Sequence, residues 1–481
     1  MRSRRNKTFA STTKMKTVPT ICLATMTSLS VLSIFLLTGF NLFACSVQKR
    51  GEDYHSTPCV PTAMNTVLKS VKDIENSPQK RQDSHRIIHT ETSKRKYDTR
   101  FQRVQRYNPP SARQNLTKEL VAALRIKLNE AANTRNKTLR FKSCKKHKIQ
   151  NYDDSCRENR TCLRHALPDD LESRIESLVF PANMHVPDRY RDVLEGMRSE
   201  VKGHYDLIIL HALSSNHFQE SQAMLNNLHH VVFPLLKNFK LIVYDLGLKR
   251  PERQQYEKHC RCQLVRFPFE ELPEHFATLK SFSWKVFVIA AHFEQAEVTM
   301  WTDASITITN GTEFLSAIDR TKIRGVQQRC NPGGKPNPHY TLPQMFEAFG
   351  DSPCAHLSFQ QCETGFGLYH REPLIRHAVI GAWLACASNP FCIVPVKQSR
   401  VQECWRSVAG HIGFCMRSDQ SAVTLILAKL FREKMDHFAV RVDSFQSVDR
   451  DQRMDYFDEI EKNETRDSPV FGDTMLGNSS I

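Results

Sequence analysis

From His204 onward, short runs of apolar and β-branched residues alternate with segments of helical pattern. Four runs have the length and composition of buried strands: "YDLIIL", "KLIVYDLGL", "CQLVRF" and "VTMW". Strands that alternate with helices at short spacing predict a parallel sheet with helices on both faces. We therefore expect an α/β fold, Rossmann-like, with a mostly parallel sheet.

The segments between these strands carry helical signals. Ser214, Ser215 and Asn216 are candidate N-caps of a first helix, whose apolar residues between Met224 and Leu235 fall on one face. The polar stretch "PERQQYEKHC" predicts a second helix, and "FATLKSFSWKVFVIAAHFEQ" predicts a third.

Two acidic residues stand where predicted strands end. Asp303 is the first residue beyond the fourth strand, and Asp245 holds the equivalent place after the second. Ligands of open α/β sheets bind outside the carboxyl ends of the strands, so both are candidate ligand-binding residues. Alternatively, Asp303 caps a turn through its own backbone. The sequence contains neither GxGxxG nor GxxxxGK[ST], which argues against a classical dinucleotide site or P-loop.

The N-terminus predicts a membrane anchor. Residues 1–17 are rich in Arg and Lys, and residues 18–44 form an apolar stretch long enough to cross a bilayer. The cationic flank predicts a cytoplasmic tail and a luminal bulk, as in a single-pass type II protein of the Golgi or ER. The alternative is a cleaved signal peptide, since the apolar stretch ends in "LFAC".

Cysteines and glycosylation sequons agree with a luminal location. Thirteen of the 15 cysteines lie from Cys59 to Cys415, well beyond the apolar stretch, which is typical of disulfide-bonded proteins in an oxidising compartment. Six N-x-S/T sequons begin at Asn115, Asn136, Asn159, Asn310, Asn463 and Asn478. The net charge of +16 is then better explained by stem solvation or Golgi retention than by nucleic-acid binding.

The chain divides by composition into a membrane anchor with its tail and three further regions. Residues 45–195 form a basic stem and Cys-containing linker, 196–443 the luminal domain, and 444–481 a charged tail that we expect to be loosely ordered. Asn115 to Asn133 predict a helix, which docks on the domain or forms a stem coiled coil. Disulfides explain the cysteines of the 144–165 segment better than a zinc site. A bridge at Cys386–Cys392 or at Cys404–Cys415 would close a small loop, although the sequence does not fix which cysteines pair.

A carboxylate alone at a sheet edge is suited to holding Mg²⁺ or Mn²⁺ on a diphosphate. These ions prefer oxygen ligands and need only one or two carboxylates when phosphates complete the shell. The strand that ends in "MWTDASI" resembles the GT-A glycosyltransferase core, in which a short strand delivers an Asp-x-Asp motif. The resemblance implies a metal site at Asp303 and position 305, where this chain has Ser305. A hydroxyl adds a ligand but no charge.

The chain is also similar to an uncharacterised animal family of type II secretory-pathway proteins, a domain of unknown function. The resemblance extends from about Leu207 to Leu430. It rests on motifs that include "SSNHFQESQAML", "IVYDLGL", "VRFPFEELPEHFATLKSFSWK", "QCETGFGLYHR", "WLACASNPFCIVP" and "SDQSAVTLIL".

Further candidates have alternatives of their own. Glu363 is a catalytic carboxylate for the acceptor or a surface acid, and Asp419 is an active-site acid or a helix N-cap. Lys285 neutralises a diphosphate, or it snorkels outward beside a core Trp284. Gln420 is a substrate-binding candidate. His370, His411 and His437 are each a candidate for a late metal ligand, but lone histidines are usually structural or exposed.

These features support three hypotheses of function. The first is a Golgi or ER glycosyltransferase that uses a nucleotide-sugar donor on a glycan or glycoprotein acceptor. The second is a catalytically inert GT-A-like protein that binds a glycan or a partner, which Ser305 favours. The third is a secreted ligand released by proteolysis near Ser93 to Lys96.

Overall fold

The computed structural model describes residues 110–133, 170–330, 336–395, 404, 415–440 and 444–467. The predicted membrane anchor and tail, the stem before 110, the 144–165 cysteine segment, His411, and the sequons at Asn136, Asn159 and Asn478 lie outside these residues. None of the helices within the described ranges is long and apolar enough to cross a membrane.

A seven-stranded sheet forms the centre of the fold, with strand order β3-β2-β1-β4-β7-β6-β8. Only β7 runs antiparallel to its neighbours, so the prediction of a mostly parallel sheet is confirmed. A two-stranded sheet pairs β5 with β9. The nine strands are β1 Tyr205–Leu213, β2 Phe239–Asp245, β3 Gln263–Arg266, β4 Ala296–Thr302, β5 Ile306–Ile308, β6 Val326–Cys330, β7 Cys362–His370, β8 Ala439–Val440 and β9 Gln446–Val448.

Successive residues of the central strands point to opposite faces of the sheet, and both faces are buried. On β1, Ile208 and Leu210 belong to one hydrophobic cluster, whereas Leu207 and Ile209 belong to a second. A sheet buried on both faces explains why its strands read as continuous apolar runs.

Helices cover both faces, as predicted. The α-helices are α1 Pro110–Asn133, α2 Leu171–Val179, α3 Asp188–Ser199, α4 Phe218–Asn227, α5 Arg250–His259, α6 Glu274–Ala277, α7 Ser283–His292, α8 Gly311–Arg324, α9 Pro343–Ala348, α10 Ala382–Ser388, α11 Pro390–Ile393, α12 Ser418–Phe431 and α13 Tyr456–Asp467. Apolar residues of α7, α10 and α12 pack in the first cluster, and those of α4 and α8 pack in the second.

Two predicted helix starts are wrong. A 3-10 turn occupies Ser215–His217, so α4 begins at Phe218 rather than after a serine cap. The predicted third helix is interrupted at Phe282, whose φ of 54° is left-handed, and α7 begins only at Ser283. A helix cannot continue through a left-handed residue, because its hydrogen-bond ladder requires right-handed dihedrals.

Helix α1 docks on the domain, which decides between the two alternatives stated for it. Leu120 and Leu124 are fully buried in the first cluster, and the Nζ of Lys127 donates to the carbonyl oxygen of Ile323 at 2.5 Å. Helices α2 and α3 pack in the same cluster through Ile175 and Val193, among others. Parts of the region predicted as stem and linker therefore contribute to the core.

The C-terminal segment is more ordered than its composition predicts. Residues 446–448 form β9, and α13 buries Phe457 completely in the second cluster. The expectation of a loosely ordered tail is therefore wrong for these residues. Two buried aromatic side chains, Tyr456 and Phe457, attach this otherwise charged helix to the domain, together with the ion pairs of Glu461 to Lys258 and His259.

Four disulfides join described residues: Cys260–Cys262, Cys330–Cys362, Cys386–Cys392 and Cys404–Cys415. Both small-loop bridges considered from the sequence are among them.

Candidate functional site

Asp303 lies at the carboxyl edge of the sheet, directly after β4. Its backbone amide donates to the carbonyl oxygen of Gly365 on β7 at 2.8 Å, and its carbonyl accepts from the amide of Ile306 at 3.1 Å. A tight turn thus runs from Asp303 through Ser305. Its side chain remains 35% exposed. Gly365 borders this carboxylate, and a Cβ there would lie in ordinary van der Waals contact, 3.5 Å from Asp303 Oδ2.

Beneath Asp303 lies a buried ammonium. The Nζ of Lys285, on α7, is 2.9 Å from Asp303 Oδ1 and 3.3 Å from Asp419 Oδ2, and it donates to the carbonyl oxygen of Thr364 at 3.2 Å. Burial alone would lower the pKa of Lys285, but the two carboxylates outweigh it and the pKa is raised. Lys285 is therefore a permanent cation of the site, and the interpretation that it snorkels outward is wrong.

Asp419 is the second acid of this cluster. It lies in the first turn of α12, is 2% exposed, and accepts a short hydrogen bond from the hydroxyl of Thr364. Arg417 is the N-cap residue of α12, so the N-cap alternative for Asp419 is wrong. Burial raises the pKa of Asp419, against the opposing effects of Lys285 and Thr364.

The two oxygens of the Asp303 carboxylate differ in their surroundings. Oδ1 accepts from Lys285 Nζ and, at 2.7 Å, from the indole Nε1 of Trp301. Oδ2 receives no hydrogen bond from the described residues, and it is the atom that faces the space next to Gly365. Asp303 therefore presents one free acceptor to a ligand.

A cavity of about 450 Å³ opens at the carboxyl ends of β1 and β2. Its lining is strongly acidic, with Glu220, Glu252, Asp451 and Asp455 facing Arg453 and His217. The Nδ1 of His217 lies 2.6 Å from Glu220 Oε2. That hydrogen bond is the main cause of a raised pKa for His217, and Asp303 raises it further. The cavity opens after β1, the strand next to the β4 strand that Asp303 follows.

His211 joins the ends of β1 and β4. It is fully buried, and its Nδ1 lies 2.9 Å from the carbonyl oxygen of Thr302, the residue before Asp303. Burial lowers its pKa to about 4, so the ring is neutral at physiological pH. The sequence reasoning missed His211, His217 and Glu220. A histidine at the end of a strand, and the "NHFQE" turn after it, were the available signals.

Asp245 lies at the same edge but has a structural role in the turn after β2. Its Oδ1 accepts from the amides of Gly247 and Leu248, each at 2.7 Å, and its Oδ2 accepts from Arg253 at 2.7 Å. The substrate-binding role predicted for Asp245 stays a prediction.

Glu363 lies on β7, next to Thr364 of the buried cluster. Its side chain is 30% exposed, and Oε2 is 3.1 Å from Arg329 Nε. Gln420 is partly buried, with its Oε1 3.5 Å from Arg417 Nη1. Of the acids predicted for the acceptor side, Glu363 is thus the accessible one.

The residues present do not form a ready-made cation site. The described residues contain no group of three His, Cys, Asp or Glu side chains that could hold a metal. Asp303 offers one free oxygen and Ser305 offers a hydroxyl, which is enough only when phosphate oxygens supply further ligands. His370 and His437 are engaged elsewhere, near Glu372 and Glu130 respectively.

Three predicted glycosylation sites fall on described residues, and all three asparagines are exposed. Asn310 is the N-cap of α8, where its Oδ1 accepts from the amide of Glu313. Asn115 lies on α1, with Thr117 of its sequon buried, and Asn463 lies on α13. Whether they carry glycans stays a prediction.

Solved structures that superpose on this chain include glycosyltransferases, at low similarity. Core-mannan synthase A from Aspergillus fumigatus, in a Mn/GDP form, matches with a TM-score of 0.31 and 7% identity over 52% of this chain and 77% of its own. Mouse xyloside xylosyltransferase 1 matches with a TM-score of 0.28 and 12% identity over 50% of this chain and 86% of its own. The WbbM bifunctional glycosyltransferase matches with a TM-score of 0.30 and 11% identity over 50% of this chain. The matched part spans only 39% of that enzyme.

No curated protein sequence is significantly similar to this chain. One family model does match, over residues 176–290, which include β1 to β3 and most of α7. The family whose model matches is described as a protein of unknown function, DUF1647.

Proposed function

We propose that this protein is a glycosyltransferase of the Golgi or ER, with a nucleotide-sugar donor and a glycan or glycoprotein acceptor. The observation that carries the proposal is the position of Asp303. Its free Oδ2 lies at the carboxyl edge of a mostly parallel sheet, the edge where open α/β sheets bind ligands. An acidic cavity opens at the end of the neighbouring strand β1, and Glu363 lies on β7, the neighbouring strand on the other side.

The cavity at the ends of β1 and β2 is suited to the donor. Carboxylates such as Glu220 and Glu252 accept hydrogen bonds from ribose or sugar hydroxyls. The same negative charge repels a bare diphosphate, so we expect a divalent cation to arrive with it and to contact Asp303 Oδ2 and Ser305. When bound, such a cation would offset charge on the departing nucleoside diphosphate.

The side of β7 is suited to the acceptor. Glu363 is partly exposed, so it can accept the proton of an acceptor hydroxyl as a general base. Its neighbour Arg329 holds the carboxylate in place at 3.1 Å. Asp419 is too buried to meet an acceptor, and it instead keeps the Lys285 ammonium beneath Asp303.

A second candidate function is a glycan-binding protein without transferase activity. Two observations favour it: position 305 lacks the second acid, and Lys285 already neutralises Asp303. In either case we propose that the chain is held in the membrane through residues 18–44 with its bulk in the lumen, as the sequence predicts.

The two functions are separated by the binding of nucleotides. The thermal stability of the full-length protein would be measured with UDP, GDP, CDP and ADP, each with and without Mn²⁺. A ligand that binds only the native state raises the melting temperature. We expect one nucleotide to stabilise the protein in the presence of Mn²⁺, and Asp303→Ala to abolish the effect.

The matched control is Asp319→Ala, which removes an exposed acid of α8 away from the site. It should leave the nucleotide effect intact. If no nucleotide stabilises the folded wild-type protein under any condition, the transferase proposal fails and the glycan-binding function replaces it.

A further inference from the structure

Phe282 stands beside the site in an unusual conformation. It is the residue before α7, it has a φ of 54°, and it is 37% exposed. The left-handed region is unfavourable for residues with a Cβ, and a bulky side chain there is an outlier. Such conformations persist where surrounding structure holds them, and they concentrate at functional sites.

Neither helix capping nor core packing explains a phenylalanine at this position. Phe282 is the N-cap residue of α7 but makes no side-chain capping bond, whereas Ser281 Oγ accepts from the amide of Ser283. A glycine would adopt the same backbone without strain. The ring is also among the few large apolar side chains that remain exposed in the described parts of the chain.

The ring of Phe282 is linked to Asp303 through Lys285. Lys285 Nζ lies 5.3 Å from the centroid of the ring, over its face, and 2.9 Å from Asp303 Oδ1. Trp284 packs against the ring at a tilt, with the centroids 6.0 Å apart. Because Lys285 and Trp284 cover part of the ring, its exposed part is turned away from them and towards solvent.

We propose that Phe282 is a stacking platform for a pyranose ring. A pyranose offers an apolar C–H face, which packs on an aromatic ring, and a rim of hydroxyls. A carboxylate oxygen has two lone pairs, so the Oδ2 of Asp303 can accept a hydrogen bond from one of these hydroxyls and still contact the proposed cation. Lys285 contacts both the Phe282 ring and the Asp303 carboxylate. A sugar would stack on the ring through its C–H face and donate a hydroxyl hydrogen bond to Asp303 Oδ2. The inference rests on the proposed function only in placing a sugar at Asp303.

The test measures sugar binding separately from nucleotide binding. Saturation-transfer NMR would be recorded on the full-length protein with methyl glycosides of glucose, galactose, mannose, xylose and N-acetylglucosamine. The same glycosides would be tested with Phe282→Gly, Phe282→Ala and Phe282→Trp. UDP and UDP-sugars would form separate arms, which distinguish an acceptor sugar, a donor sugar and a nucleobase.

We expect at least one glycoside or UDP-sugar to show transfer to its ring C–H protons. Its affinity should fall about tenfold in Phe282→Gly and Phe282→Ala, the loss that corresponds to an aromatic contact of about 1.4 kcal/mol. Phe282→Trp should retain binding. The melting temperature of Phe282→Gly should equal or exceed that of the wild type, because glycine relieves the backbone strain. Weak binding by that variant is then not a folding defect.

The platform is refuted if no sugar binds the wild-type protein, or if Phe282→Gly binds sugars as well as the wild type does. A loss of UDP affinity equal to the loss of UDP-sugar affinity would assign the ring to a nucleobase and also refute it. If Phe282-dependent sugar binding is found without any nucleotide binding, the platform stands and the transferase proposal fails.

Discussion

Replacing Lys285 by methionine tests the buried charge cluster on which the site is built. Methionine fills much of the same volume but removes the ammonium that lies 2.9 Å from Asp303 and 3.3 Å from Asp419. Asp303 is partly exposed and can be solvated by water. Asp419 is 2% exposed and loses its counter-charge, so it must take up a proton to remain buried.

The loss of stability in Lys285→Met follows from the free energy needed to protonate the Asp419 carboxylate. An ordinary Asp has a pKa of about 3.9, and each pH unit above it costs about 1.4 kcal/mol, so holding Asp419 protonated costs about 4 kcal/mol at pH 7 and about 1.5 kcal/mol at pH 5. Removing one partner of a buried ion pair typically costs about 3–5 kcal/mol, which agrees with this value.

The same protonation of Asp419 determines how the stability of Lys285→Met changes with pH. Burial already raises the pKa of Asp419, and losing Lys285 raises it further. A carboxyl with a raised pKa in the folded state loses stability as pH rises from its unfolded pKa towards the folded one. The deficit of Lys285→Met relative to the wild type should therefore grow between pH 5 and pH 7.

The assay is chemical denaturation at both pH values with the disulfides intact, followed by tryptophan fluorescence. Lys322→Met is the matched control, because Lys322 makes a partly exposed pair with Glu297 at 2.9 Å. It should cost less than about 1 kcal/mol at either pH. The double variant Lys285→Met/Asp419→Asn should recover most of the lost stability, since neither of these two buried positions then carries a charge.

Equal deficits for Lys285→Met at pH 5 and pH 7 would refute the reasoning. So would a double variant that is no more stable than Lys285→Met. Either result would mean that Asp419 does not depend on Lys285 for its charge.

Three further predictions concern the same edge of the sheet. Ser305→Asp supplies the missing acid, so it should lower the dissociation constant of Mn²⁺ in the presence of UDP by about tenfold or more, as measured by electron paramagnetic resonance. An unchanged dissociation constant would contradict a cation at the Asp303 turn. Glu220→Gln should lower the pKa of His217 in an NMR titration, because the hydrogen bond to Glu220 is the main cause of its elevation; the stabilisation from this pair is present below the unfolded pKa of His217 and is lost as pH rises through the folded value. Asp245→Ala removes the acceptor of two backbone amides and Arg253, and should cost about 2 kcal/mol in denaturation experiments, whereas Asp245→Asn should cost less.

The sequence alone was sufficient to predict the fold class and the position of Asp303 at the edge of the sheet. The fold class and the position of Asp303 at a sheet edge depend on local patterns, namely apolar runs of strand length, helical periodicity between them, and an acid directly after a strand. Such patterns can be recognised without knowledge of distant contacts, because backbone geometry sets the direction of side chains in a strand and in a helix. The assignment of Trp284 to the core was also correct, since it is 6% exposed.

The contacts that make the site chemically specific were decided by tertiary structure. Lys285, Asp303, Thr364 and Asp419 come from distant parts of the sequence, and only the packing of α7, β4, β7 and α12 brings them together. Burial alone would lower the pKa of Lys285, and it is the two carboxylates brought beside it by packing that raise the pKa and keep the ammonium charged.

The same holds for the ends of the domain and for Phe282. Helices α1 and α13 look like parts of polar, charged segments, yet Leu120, Leu124 and Phe457 bury completely because the domain offers them apolar surfaces. The left-handed turn at Phe282 broke a segment that reads as one continuous helix. Local propensity predicts which elements a chain can form, whereas the partners of a side chain, and hence its charge and conformation, are fixed only when distant residues pack against it.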